Sequence, residues 1–551
     1  MGLGCPRLEK MIQLHRQPSA PDLPPSPHAQ TEPSVAPTVT AVHSDVIPTG
    51  FADIYDELTP RQVGIMTIGS AIGTGLMIGT GRALSISGPA AVIISYTVVG
   101  FTAYLVLSAL GEVAAWLPKP FTVADQAVRF CDPALGFSLA SIFWLKYAVV
   151  TPNQLTAATL VVSYWLDAER VNPGIWVTCF LVIITALNFL CRGLPSQMEF
   201  YVSCFKIVMM SGLMLLSFVI ALGGGPDHDR RGFRYWKYPG AFGPPNENRL
   251  IEKFYSTCGT VSSAMFAYIG SERTGIMAQT PCLHKATSRA IKYTFYRILV
   301  FHLLGITLLG MIVPHNSVTL AFHSAASKDA AASPFVAAIY LAGISVLPDI
   351  LNACILMFTL SIANYDLYLA AKAMCDLALK DRAPAFLSRT NRRGIPIYAL
   401  GVCCAVTMLA YLNIGHDSTV VFGYFVNSVT MLGLLTWISI LITHISFVRA
   451  RKAQGVPDEA LICKARFGLP GTLLALILCL FISVTMVVDS FKLEAGRRHF
   501  NYKSFVASYL GIPLYFILIV GYKLAIKNKH VAPKEADLWT DKPMCSGERR
   551  D

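Results

Sequence analysis

Two of the long apolar runs in this chain are interrupted near their middle by glycine and polar residues. The first interruption reads Gly69-Ser70-Ala71-Ile72-Gly73-Thr74-Gly75-Leu76, in the first apolar run, and the second reads Tyr268-Ile269-Gly270-Ser271-Glu272, in the sixth. A helix in hydrocarbon must satisfy its backbone hydrogen bonds internally, so non-helical backbone at that depth is tolerated only where it lines a protein cavity. Gly-interrupted segments at corresponding places in two halves of a chain point to the binding site of a secondary carrier. The breaks therefore predict both an architecture and the place where a cargo sits.

Composition agrees with a membrane chain. Hydrophobic residues make up 54% and charged residues 14% of the 551, whereas a soluble domain carries about 25% charge. Many runs exceed the roughly 18 to 20 apolar residues that cross a bilayer. The expected fold is an all-α membrane protein with 12 transmembrane helices, the first near 62–82, the sixth near 254–275 and the last near 504–526. Spans 1–5 and 6–10 each open on a broken segment. Five is odd, so the second set enters from the opposite side: a 5+5 inverted repeat with broken helices 1 and 6, plus two extra helices. The apolar stretch 335–346 is too short to span and is expected as an external helix lying on the protein.

Residues 1–60 read as a disordered cytoplasmic tail rich in Pro, Ser, Thr and Ala, 61–526 as the transporter domain and 527–551 as a cytoplasmic C-terminal tail. The first 50 residues hold no apolar core of the kind a cleaved signal needs. The net charge of +12 follows from Lys and Arg gathered in loops, so no nucleic acid is expected as a partner; the bilayer is. Lys372, Lys380, Arg382, Arg389, Arg392 and Arg393 after span 8 fall on one side with Arg449, Arg451, Lys452, Lys464 and Arg466 after span 10. Lys527, Lys529 and Lys534 join them, which puts both termini in the cytoplasm. Loops 227–237 and 489–503, with Arg230, Arg231, Arg234, Lys237, Arg497 and Arg498, run against that trend. The 14 cysteines show no CxxC pair and there is no His cluster, so no disulfide framework, metal or cofactor is expected. Nothing in the sequence indicates an oligomeric state.

Unwinding over Ala71, Ile72, Gly73, Thr74 and Gly75 exposes N–H groups at a half-helix N-terminus, which favours an anion such as a carboxylate. Close helix packing through small residues is the competing explanation. In the second break the carbonyls around Phe266, Ala267 and Ile269 suit an ammonium group, and Gly270 and Ser271 join them as substrate-binding candidates. Glu272, ionisable within a span, is a functional candidate: it titrates, pairs with a substrate amine, or closes a structural salt bridge. Lys206 lies about two turns into span 5. Burial lowers the pKa of an ammonium, so Lys206 can carry a proton, act as a fixed charge in place of a sodium ion, or simply snorkel. Lys146 and Asn153 are seven residues apart and share a helix face. With Gln154 they suit a substrate bearing a second carboxylate, or form an interhelical clasp.

These segments resemble the fungal amino-acid permeases of the amino acid–polyamine–organocation superfamily. The likeness is carried by Ile72-Gly73-Thr74-Gly75-Leu76, Leu110-Gly111-Glu112 and Asp132-Pro133-Ala134-Leu135-Gly136-Phe137. More specific are Gly223-Gly224-Gly225-Pro226-Asp227-His228-Asp229-Arg230, Gly232-Phe233-Arg234-Tyr235-Trp236 and Tyr424-Phe425-Val426-Asn427-Ser428. Thr151-Pro152-Asn153-Gln154-Leu155-Thr156-Ala157-Ala158 and Val171-Asn172-Pro173-Gly174 are similar to the dicarboxylic amino-acid permease branch. The resemblance runs from about residue 50 to the end. It implies proton-driven uptake at the plasma membrane, with glutamate and aspartate as substrates and neutral amino acids as further candidates.

The chain departs from that pattern at Arg273, Gln279, Cys282-Leu283-His284, Tyr365 and the short loop Pro118-Lys119-Pro120-Phe121. These departures leave two other readings open: an amino-acid sensor that transports little, and a carrier or exporter of an unusual amino acid. No Ser-centred Gly-x-Ser-x-Gly motif with partners and no cofactor loop is present, so an enzyme is not expected.

Overall fold

The structure is a computed structural model describing residues 60–69, 72–116, 122–166, 171–190, 194–243, 250–272, 293–317, 320, 333–414, 418–461, 463–494, 497–527 and 529–540. All of these belong to one compact unit, 48–551. Of the residues singled out in the sequence, Ser70, Ala71, the 118–121 loop, Arg273, Gln279, Cys282-Leu283-His284 and almost all of the N-terminal tail lie outside the described residues.

The chain runs through α1 (Pro60–Gly69), α2 (Gly75–Trp116), α3 (Val123–Phe130), α4 (Pro133–Val162), α5 (Pro173–Leu190), α6 (Leu194–Ala221) and α7 (Leu250–Tyr268). It continues through α8 (Tyr293–Ile312), α9 (Pro334–Leu341), α10 (Leu347–Leu379), α11 (Ile397–Ile414), α12 (Ser418–Ala453), α13 (Gly468–Val488) and α14 (Tyr502–Ile526). Among the described residues 10 helices are long and apolar enough to cross a membrane. One of these, α2, turns at Gly88: its first part, 75–88, completes the span that α1 begins, and the rest makes the second crossing. With the more polar α7 the number of crossings reaches the twelve expected.

Gly88 is required there. Its φ is +78°, and a Cβ would sit 2.9 Å from the Ala241 carbonyl oxygen, which itself accepts the Ala90 N–H at 2.9 Å. Only glycine adopts this conformation without strain. Other boundaries follow local chemistry as well. Asp132 caps α4 by accepting the Ala134 N–H at 2.8 Å, with Pro133 at the first helical position. Thr122 and Asp125 close a capping box on α3.

The packing has an internal correspondence. The first span meets the fifth, with a Cβ on Gly69 only 2.3 Å from Ser203 Cβ, so α1 and α6 touch backbone to backbone. The sixth span meets the tenth in the same way, α7 against α12. The third and eighth, α4 and α10, pack together at the centre. Side chains such as Val208, Val484 and Leu524 are exposed on the outside, as an apolar lipid-facing surface must be.

Three places differ from the expected pattern. The 335–346 stretch lies on the outside only in its second part, where Tyr340 and Val346 are exposed: Phe335, Val336 and Ala337 of α9 are fully buried, and the helix packs on α8, α10 and the Gly75–Gly79 turn. An eight-residue apolar helix has no polar face to present to water, so it sinks into the bundle. The 489–503 loop carries a β-hairpin, β1 (Phe491–Glu494) with β2 (Arg497–Phe500), pairing Phe491 with Phe500; the all-α fold has this one small addition among its described residues. Arg231, counted as a charge on the wrong side, is a buried strap instead. It donates to the carbonyls of Ile312 (3.2 Å) and Leu341 (2.7 Å) and to Asp227 (2.5 Å).

Residues 529–540 form a strap across helix ends. The Val531 N–H donates to the Cys131 carbonyl at 3.1 Å, Trp116 Nε1 to the Leu538 carbonyl at 3.0 Å, and Gln454 Nε2 to the Ala536 carbonyl at 2.6 Å. Arg129 holds the Asp537 and Thr540 carbonyls at 2.5 and 2.6 Å. Leu538 is fully buried in an apolar cluster with Trp116, Phe130 and Phe447.

Candidate functional site

The two breaks meet. α1 ends at Gly69, and the helix restarts at Gly73, whose carbonyl accepts the N–H groups of Leu76 (3.1 Å) and Met77 (2.9 Å). α7 ends at Tyr268, and Gly270 takes φ +91°, a left-handed conformation that ends a helix cheaply. A Cβ on Gly75 would lie 2.5 Å from Ala267 Cα. Gly75 is therefore the point where the two broken spans cross in contact.

Beside this crossing lies a cavity of about 40 Å³, room for a few waters at most. Gly73, Thr74 and Gly75 form one wall and Phe266, Ala267 and Ile269 the second. α4 supplies Val150 and Gln154, and α10 supplies Ile362 and Asp366. Gln154 Oε1 and both amide atoms of the neighbouring Asn153 are buried without a hydrogen-bond partner. Such groups cost free energy unless something polar meets them. Ile72 is fully buried behind the break.

Gly270, Ser271 and Glu272 do not line this cavity. They form a network beneath it. The Gly270 N–H and Trp437 Nε1 donate to Glu272 Oε2 at 3.1 and 3.3 Å, and Ser271 Oγ donates to the Tyr268 carbonyl at 2.6 Å. Lys146 donates to Glu272 Oε1 in an ion pair whose members are both buried. Lys146 and Glu272, read from the sequence as separate candidates, are thus one clasp between α4 and the second break. The Lys146 ammonium also lies over the rings of Phe143 and Tyr147, at 4.5 and 4.4 Å.

Lys206 stands apart from the cavity and is fully buried. It donates to Glu199 Oε1 at 2.8 Å, two turns earlier on the same face of α6. Ser361 of α10 donates to Glu199 Oε2 at 2.8 Å. The lysine therefore does not snorkel; it sits in a polar knot beside the Gly69–Ser203 contact.

Four residues at the site had no role assigned from sequence. Glu199 and Trp437 are partners of charges already noted. Asp366 is a carboxyl in the apolar run of α10, a signal legible in principle. Arg297 of α8 bridges the two breaks: it is buried, and Nη1 donates to the Thr67 carbonyl of α1 at 2.7 Å while Nη2 donates to Ser271 Oγ at 2.8 Å. One guanidinium thus ties the end of the first half-helix to the second break. Among the described residues no group of His, Cys, Asp and Glu is clustered to hold a metal ion.

Discontinuous helices meeting at a buried polar cavity in mid-bundle are the arrangement of secondary transporters. The chain belongs to the amino acid permease family, whose model matches residues 62–532. A dicarboxylic amino acid permease of Saccharomyces cerevisiae is 42% identical over 503 residues, covering 90% of this chain and 81% of the relative. An uncharacterized amino-acid permease of Schizosaccharomyces pombe is 36% identical, covering 87% of this chain and 91% of the relative. A proline-specific permease of Saccharomyces cerevisiae is 34% identical, covering 85% and 75%. The protein is a multi-pass membrane transporter of amino acids, not an enzyme.

Proposed function

We propose that the protein imports acidic amino acids, glutamate and aspartate, across the plasma membrane with protons, both termini being cytoplasmic. Neutral amino acids remain secondary substrates. The observation that carries this reading is the pairing of an N-terminal helix end with unpartnered amides around one cavity. Once the cavity widens to admit an amino acid, the α-carboxylate meets the positive end of α2 at Thr74 and Gly75. The α-ammonium meets the carbonyls of Phe266, Ala267 and Ile269 and Gln154 Oε1. The amide groups of Asn153 and Gln154 offer donors to a side-chain carboxylate. The name of the 42% identical relative supports the acidic class.

Coupling requires a contact that differs between the two facing states, since a ligand with equal affinity for both shifts nothing. The Lys206–Glu199 knot is suited to this: it joins α6 to α10 beside the end of α1, and breaking it would release Ser361 and Lys206 together. The Lys146–Glu272 clasp is the second such group.

The test is labelled glutamate uptake in yeast cells stripped of their own amino-acid permeases, at acidic and neutral external pH, with and without a protonophore. Concentrative, protonophore-sensitive uptake is expected, and Lys206→Ala should abolish accumulation per molecule of protein at the surface. Unchanged accumulation in Lys206→Ala would remove the coupling role. Wild-type protein at the surface with no glutamate uptake would overturn the acidic substrate class.

A further inference from the structure

A second cavity lies far from the crossing, where α12 ends and α13 begins. It is a cleft of about 570 Å³ lined by four cations, Arg451, Lys452, Lys464 and Arg466, and by two carboxylates, Glu112 and Asp458. The carboxylates are engaged. Glu112 accepts the Ala465 N–H at 2.8 Å and faces His444 at 3.5 Å. Asp458 is shared by Arg451 (2.6 Å) and Lys464 (2.7 Å). Lys464 and then Arg451 hold the Asp458 carboxyl down to about 2, so it stays ionised at any physiological pH.

The balance leaves positive charge over. Lys452 and Arg466 are exposed and have no ion-pair partner among the described residues. Arg451 is 3% exposed, yet its Nε is buried without a hydrogen-bond partner. Gly468, Leu469 and Pro470 add the N-terminal turn of α13, whose partial charge is positive. The rim is apolar on one side only: Phe467, half exposed, meets the lipid-facing Phe101 edge-on at 6.4 Å. A basic cleft between membrane helices, with an aromatic rim facing the acyl chains, fits a lipid and not a soluble macromolecule.

We propose that this cleft binds the phosphorylated headgroup of an anionic phospholipid. The inference does not depend on which amino acid is carried. Its chemistry is that of a phosphate ester held by Lys452, Arg466 and Arg451, with the acyl chains leaving past Phe467 and Phe101.

The test is the thermal unfolding midpoint of the full chain in neutral detergent, with four additions: phosphatidylinositol phosphate, free inositol phosphate, inorganic phosphate and phosphatidylcholine. The expected result is a rise with phosphatidylinositol phosphate, a smaller rise with inositol phosphate, and none with phosphatidylcholine or inorganic phosphate. In the Lys452→Ala/Arg466→Ala double variant the lipid affinity should fall about thirtyfold, the effect of losing two cations near an anionic headgroup. Both side chains are exposed, so the unliganded midpoint should not move. Arg230→Ala/Lys237→Ala, which removes two exposed cations elsewhere, should keep the full response. No rise with the lipid, or an equal rise in the Lys452→Ala/Arg466→Ala variant, would overturn the site. An equal rise from free inositol phosphate or inorganic phosphate would overturn the lipid occupant and leave a soluble phosphate in its place.

Discussion

At the scale of single residues, Arg297 shows how much one side chain can coordinate. Its two terminal nitrogens serve acceptors on α1 and on the α7 break; an ammonium is a point charge and lacks this planar fork. Arg297→Lys should therefore behave almost as badly as Arg297→Met. Each is expected to lower the maximal uptake rate about tenfold or more, the value of a charge-assisted hydrogen bond, at normal surface expression. Equal uptake by Arg297→Lys and wild type would show that charge alone suffices. The Lys146–Glu272 clasp makes a different forecast. Removing one member of a buried pair costs about 3 to 5 kcal/mol because its partner is stranded. Lys146→Met and Glu272→Gln should each lower the unfolding midpoint in detergent, and the double variant should regain part of the loss. Additive losses would mean that the two side chains do not interact. Such pairings were out of reach of the sequence, since Lys146 and Glu272 are 126 positions apart and only the fold brings α4 to the second break. Arg297 was missed for another reason: at the start of an apolar run a cation reads as an interfacial anchor, and nothing local shows that it points inward.

At the scale of elements, the two breaks were legible because glycine next to polar residues inside an apolar run has few structural uses. What could not be read was how closely the broken segments approach. Gly75 and Gly73 look equivalent in the sequence and are not equivalent in space. A Cβ on Gly75 would strike the Ala267 backbone at 2.5 Å, whereas on Gly73 it would meet only the flexible end of Ile362, at 3.2 Å. Gly75→Ala should then force the broken spans apart and reduce folded protein at the surface. Gly73→Ala should fold normally and raise the KM for glutamate severalfold by intruding on the cavity wall. Wild-type KM in Gly73→Ala would move the substrate away from that wall. Helix count and boundaries were legible within a few residues because hydropathy and caps are local. The hairpin between α13 and α14 was not, because four-residue strands leave too short an alternation to detect, and α9 was misplaced because a short apolar helix reads the same whether it coats a bundle or plugs it.

At the scale of the whole molecule, the ends of α2, α3 and α12 are gathered by the 529–540 strap. The C-terminal region looked like a charged tail, yet Leu538 is fully buried and Ala536 nearly so. Leu538→Asp should release the strap without unfolding the bundle, because the strap's remaining attachments are hydrogen bonds, most of them at exposed or part-buried sites. The check is limited proteolysis of the detergent-solubilised protein: the variant should lose its C-terminal tag rapidly while the transmembrane core stays intact, and equal protection of variant and wild type would mean that Leu538 does not hold the strap. The same contact gives the protein an optical property. Trp116 is 3% exposed and its ring lies 6.1 Å from that of Trp539. When the strap is seated one indole is dry and the other half-covers it; when it lifts, the first is wetted. The Trp116 contribution to emission, taken as the difference between wild type and a Trp116→Phe variant, would shift to the red on release. The seated and lifted forms could then be told apart by colour in an unlabelled transporter, while it works.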